Sequence, residues 1–109
     1  MRISSFTSHK ITRALLTAVA LVVATGASAA DIEKGKAKSS TCVGCHGING
    51  ISAIPTFPNL AGQKAPYTAA QLKAFKDGTR KNATMMSMVL QLTDEDMADI
   101  AAYYESLKP

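Results

Sequence analysis

Cys42-Val43-Gly44-Cys45-His46 holds both cysteines of this 109-residue chain and one of its two histidines. Two thiols three residues apart, with a histidine directly after the second, form the c-type haem attachment signature. The thiols add across the two vinyl groups of a haem, and the histidine is then close enough to ligate the iron on one face. Cys42 and Cys45 are therefore candidate sites of covalent haem attachment, and His46 is a candidate iron ligand. Three other chemistries compete. A thioredoxin-like redox pair wants a βαβ context, and no convincing strand pattern is present. A structural zinc site needs four ligands, and no further Cys or His follows His46. A plain disulfide is the third.

The residues before the motif set the compartment. Residues 1–30 read as a secretory leader, with Arg2, Lys10 and Arg13 as a basic start, an apolar run over 14–24, and small residues at Ala27-Ser28-Ala29-Ala30. An apolar run of about a dozen residues is short for a bilayer span. Cleavage after Ala29 or Ala30 satisfies the small-x-small rule. Ala30 is preferred, leaving Asp31 first, and an uncleaved membrane anchor is the alternative. Haem is attached covalently outside the cytoplasmic membrane of bacteria, so leader and motif agree on the periplasm, with no membrane span left after cleavage.

Removing the leader changes the charge balance. The full chain carries +4, whereas residues 31–109 hold nine basic and eight acidic residues. Two haem propionates would bring that net +1 to about −1. The pI near 9.2 thus belongs to the precursor, and no nucleic-acid partner is read from it. The remaining 79 residues make one small domain with a thin core, for which a buried haem would be the staple.

The pattern along the domain is helical. Asp31 caps a first helix over residues 32–40, with Gly35 inside it as the mark of a close packing contact. Residues 47–65, rich in Gly, Pro, Asn and Ser, read as a loop ordered by wrapping a haem edge. Pro66 starts a helix over 67–77 that Gly78 closes. Thr93 and Asp96 make a capping box for a last helix whose stripe is Met97, Ile100, Ala101, Tyr104 and Leu107.

Iron held by one histidine stays open or takes a second histidine or a methionine. His9 lies in the leader, so a second histidine is excluded within the mature chain. Met85, Met86 and Met88 cluster between the central and last helices, on a segment able to close over the open haem face. One of them is the candidate sixth ligand. Met97 reads as core.

A haem motif near the start of the mature chain, a late methionine and a final amphipathic helix resemble a class I cytochrome c over residues 31–109. The resemblance is nearest to the small periplasmic monohaem type, whose domain also occurs twice over in dihaem cytochromes. It rests further on 57–63 (Phe-Pro-Asn-Leu-Ala-Gly-Gln), Tyr67, Gln71-Leu72, Phe75, Asp77-Gly78, Arg80, Asp94-Glu95-Asp96 and Ala101-Ala102-Tyr103-Tyr104. It implies an all-α fold wrapped around one covalent haem c, with the Pro58 carbonyl holding the His46 ring and Gly35 packing against Tyr103. Its register puts the methionine ligand at Met85, or at Met86 if one residue is deleted before the last helix. The implied function is a monomeric periplasmic one-electron carrier, not an enzyme, serving a terminal oxidase or another periplasmic oxidoreductase. The alternatives are a five-coordinate haem enzyme or gas-binding sensor, with Arg80, Lys81 and Asn82 as distal polar groups, and a cytochrome subunit of a larger oxidoreductase. Ile51, Ile54 and Phe57 would form that subunit's apolar interface, or else cover the haem.

Overall fold

The computed structural model describes residues 17–22 and 29–109. The basic start of the leader and both ends of its apolar run lie outside the described residues. Those described form five α-helices and no strand: α1 (Ile32–Lys38), α2 (Val43–His46), α3 (Ala65–Asp77), α4 (Ala83–Val89) and α5 (Asp94–Ser106). None of these helices is long and apolar enough to cross a membrane.

Local chemistry explains where each helix begins. The Asp31 carboxylate accepts the Lys34 N–H at 3.0 Å and starts α1. A 3-10 turn over Ser39–Thr41 then leads from α1 into Cys42, so the first helix ends two residues earlier than the pattern implied. Pro66 lies in the first turn of α3, and Gly78 ends that helix in the left-handed conformation at φ 77°. On α5 the capping box is complete. The Thr93 hydroxyl accepts the Asp96 N–H at 3.1 Å, and the Asp96 carboxylate accepts the Thr93 N–H at 3.0 Å.

Helix α4 was not apparent from its own pattern, since its seven residues are too few to display an apolar stripe. Asn82 starts it by accepting the Met85 N–H at 3.0 Å. Val89 is its buried residue, and the helix packs on α3.

The core is where α1 crosses α5. Ile100, Tyr103 and Tyr104 form its centre, joined by Cys42, Leu60, Leu72, Leu92 and Leu107. Met97 is buried as well. Gly35 is the contact point, but its nearest neighbours are the backbone atoms of Asp99 and Ile100 rather than Tyr103, one turn further along. A Cβ there would stand 1.9 Å from the Asp99 carbonyl oxygen. Lys38 reaches Asp96 at 3.4 Å across the same pair of helices.

Two outcomes follow from these contacts. Gly35→Ala must push the helices apart and should cost at least about 2 kcal/mol in denaturant unfolding of the haem-loaded protein; an unchanged midpoint would refute the crossing. The Thr93 backbone N–H, the Thr93 hydroxyl and Lys38 together hold the Asp96 carboxyl below its ordinary value of 3.8. A lowered folded value gives stabilisation that is complete above 3.8 and lost as pH falls through the folded value. The stability gap between wild type and Asp96→Asn should therefore be flat from pH 5 to 7, as rough bounds, and close below about pH 3.5.

Candidate haem site

The attachment motif lies on one helical turn. The Cys42 carbonyl accepts the N–H groups of Cys45 at 3.3 Å and His46 at 3.0 Å, and the Val43 carbonyl accepts that of Gly47 at 2.9 Å. Residues three and four apart in such a turn share a face. Cys42, Cys45 and His46 are therefore presented together, with Val43 and Gly44 turned aside. Both cysteines are free thiols.

Gly47 stops the turn at φ 86°, where a Cβ would stand 1.9 Å from the Ile51 carbonyl oxygen. The chain then reverses into the loop over 47–64. This loop is ordered largely by its own polar groups. The Gly50 carbonyl accepts both Leu60 N–H at 2.8 Å and Ala61 N–H at 3.0 Å. Asn59 accepts the Ser52 N–H at 2.8 Å, and the Ser52 hydroxyl donates to the Cys45 carbonyl at 3.0 Å. The Gly62 N–H donates to the Tyr104 carbonyl at 2.9 Å, tying the far end of the loop to α5.

That closed loop delivers a carbonyl to the imidazole. His46 Nδ1 lies 2.7 Å from the Pro58 oxygen. Nδ1 is therefore the protonated nitrogen that donates, and Nε2 is the one left with a lone pair. The ring is buried at 8% exposure, and Phe57 flanks it with ring centroids 6.4 Å apart. A carbonyl partner of this kind fixes the ring and strengthens Nε2 as a metal ligand.

Cys42 packs into the core while Cys45 is exposed. Burial pushes the Cys42 thiol up in pKa, an effect partly offset by hydrogen bonding to Thr41 and Tyr104. Tyr104 is buried beside it, and that burial raises the pKa of its hydroxyl.

The methionines occupy different positions on α4. Met85 is half-buried and shares a face with buried Val89, four residues on. Met86 is 37% exposed and places its Cε by Gly78, at the end of α3. Met88 is 49% exposed. Arg80 is held on α3, with its guanidinium 4.5 Å from the Phe75 ring centroid and 2.8 Å from the Gln71 amide oxygen.

The donor set fits a haem better than it fits a metal ion alone. Two free thiols and an imidazole on one turn, with only Nε2 available, match two thioether bonds and one axial bond. Among the described residues no three His, Cys, Asp or Glu side chains converge on one point, as a zinc site requires. The sequence reading assigned no role to Ser52 or to the Asn59 side chain, placed Tyr104 only in the apolar stripe of the last helix, and read Asn82 as a distal polar group rather than a helix cap. Ser and Asn flanking Gly and Pro are the signal for such local hydrogen bonds.

Comparison with known proteins supports this reading. The family model for cytochrome c matches residues 32–108. Cytochrome c-554(548) of Halomonas halodenitrificans is 51% identical over 81 residues, covering 72% of this chain and 98% of that protein. The crystal structure of reduced cytochrome c4 from Pseudomonas stutzeri superposes with a TM-score of 0.70 at 42% identity, covering 73% of this chain and 47% of that one. The thiosulfate dehydrogenase electron acceptor of Thiomonas intermedia is 37% identical over 73 residues, or 66% of this chain and 34% of that protein. The chain thus spans nearly all of one relative and half or less of the two longer ones.

Covalent attachment has a direct check. Wild-type protein should keep its haem through acidified organic extraction, and the variant with both Cys42→Ser and Cys45→Ser should release it. Extraction of haem from wild type would exclude thioether bonds.

Proposed function

The chain belongs to the cytochrome c family, and from that membership we propose a periplasmic one-electron carrier whose haem is held by Cys42 and Cys45 and whose iron is ligated by His46 and Met85. Membership brings a covalently bound c-type haem, and electron carriage is what the family's chemistry supports. The bound haem supplies a one-electron iron couple. The protein's part is to hold that couple's surroundings constant in both oxidation states. The Pro58 carbonyl fixes the tautomer and plane of His46, so the imidazole does not turn when the iron's charge changes. A thioether from Met85 is soft and neutral, which favours the reduced state and raises the potential.

The observation that carries this reading is the buried His46 ring with its Nδ1 committed to Pro58. What supports Met85 over its neighbours is its half-buried place beside Val89 and the direct cap from Asn82 to its N–H, whereas Met86 is directed to the end of α3. Six-coordinate iron leaves no position for a substrate. Two of the three distal groups an enzyme or sensor would use are engaged elsewhere, Arg80 with Phe75 and Gln71, and Asn82 with α4.

We further infer that residues 1–30 are the export leader and that 31–109 are the working domain. Redox partners would be met transiently through a small interface, with a terminal oxidase or another periplasmic oxidoreductase as the class. One finding favours a second reading: likeness to a thiosulfate dehydrogenase electron acceptor fits a cytochrome subunit of a larger oxidoreductase. Ile51, Ile54 and Phe57, all exposed, would then lie at a permanent interface. Size-exclusion chromatography of protein purified from its natural host separates the two, since a carrier elutes alone.

Optical spectra test the ligands. The ferric protein should show the methionine-to-iron charge-transfer band, and the ferrous protein should not bind carbon monoxide at neutral pH. Met85→Ala should abolish the band and lower the potential, while Met86→Ala keeps both. Loss of the band in Met86→Ala alone would transfer the ligand to Met86, and ready carbon monoxide binding would overturn six-coordination.

A further inference from the structure

Asp99 is the one buried carboxylate among the described residues, at 4% exposure. Its Oδ1 accepts the Asp31 backbone N–H at 2.7 Å. Among the described residues no basic side chain pairs with it. The ion pairs present join Lys38 to Asp96 and Lys73 to Asp77 and Asp94. A buried carboxylate without a countercharge is costly, because one neutral N–H does not replace the hydration that burial removes.

The surroundings favour a cation. Ala29, Ala30, Asp31 and Lys34 line one side of a groove whose other side is Glu95, Ala98 and Asp99. The charged groups facing the Asp31 nitrogen are thus Asp31 and Lys34 from α1's end and Glu95 and Asp99 from α5. The Asp31 carboxylate is occupied with the Lys34 N–H, and Lys34 forms no ion pair with Asp99.

We propose that removal of the leader after Ala30 turns the Asp31 nitrogen into an α-ammonium that pairs with the Asp99 carboxylate, so that maturation itself supplies the missing countercharge at the α1–α5 crossing. The proposal rests on the export reading of residues 1–30. In the step, a leader peptidase hydrolyses the Ala30–Asp31 bond. Water's oxygen goes to the Ala30 carbonyl carbon, and the Asp31 nitrogen leaves and takes up protons to become –NH₃⁺. That atom already lies within hydrogen-bond distance of the carboxylate. Cleavage after Ala29 would instead put the ammonium on exposed Ala30, one residue away from the contact. The geometry therefore selects between the two sites that the small-residue pattern allows.

The experiment uses haem-loaded protein exported with its own leader. Its intact mass should place Asp31 first. A second protein carries one extra alanine before Asp31 after processing, and each is compared with its Asp99→Asn variant by urea unfolding. Asparagine keeps an oxygen for the backbone N–H, so the fold is retained. Asp99→Asn should raise the unfolding constant about tenfold in the chain that starts at Asp31 and clearly less in the extended chain. Pairing raises the pKa of an α-amine, so this difference is complete below its ordinary value of about 8 and lost as pH rises through the folded value. Equal losses in both chains, or a difference that persists unchanged at high pH, would overturn the pairing. A mass that places the first residue elsewhere would overturn the processing site, independently of the result for the pair.

Discussion

The close approach of α1 to α5 at Gly35 is the constraint on which the rest of the molecule depends. The two helices come from opposite ends of the domain, and only a residue without a Cβ lets the Asp99 carbonyl sit where it does. Once they are in contact, the 3-10 turn after α1 places Cys42 against the core cluster of Ile100, Tyr103 and Tyr104. One end of the attachment motif is thereby part of the core. The other end, with exposed Cys45, faces outward. A haem joined to both thiols would straddle that boundary, with one vinyl-derived bond anchored in packed protein and the other near solvent.

The loop over 47–64 is the second support of the site, and it depends on the first. Its far end is tied to α5 through Gly62 and Tyr104. Its near end is tied to the attachment turn through Ser52 and the Cys45 carbonyl. Between these two ties the Gly50 carbonyl closes the loop on itself. Pro58 therefore presents its carbonyl to His46 from a framework tied both to α5 and to the attachment turn. A long irregular segment is commonly a weak place in a small domain. Here it has a rigid base and performs the positioning that a helix would otherwise provide.

The sequence was most informative where the chemistry is local. Cys-x-x-Cys-His, the Thr93–Asp96 capping box, Gly78 at a helix end and Gly35 as a contact residue each follow from properties of a few adjacent side chains. The partner of Gly35 was less accessible, because one helical turn of register between Asp99 and Tyr103 depends on how two distant segments cross. Helix α4 was missed since seven residues carry little periodicity, and Asn82 was not seen as its cap for the same reason. The loop's order was credited to the cofactor, whereas Ser52, Asn59 and Gly50 supply much of it. Side chains that bond to backbone in irregular segments leave no periodic trace, so only the folded geometry reveals them.

Helix α4 has a consequence for how the domain yields under stress. At seven residues it is well below the length at which an isolated helix holds in water. It persists through the Asn82 cap and its packing on α3. The histidine side of the site rests on the helix crossing and a cross-tied loop, while the methionine segment rests on one cap and one contact face. Resistance to local opening is therefore unequal between the attachment turn and α4. In amide hydrogen exchange α4 is the segment that would open and reclose while α1, α5 and the attachment turn stay shut, so that this helix can be released without unfolding the domain.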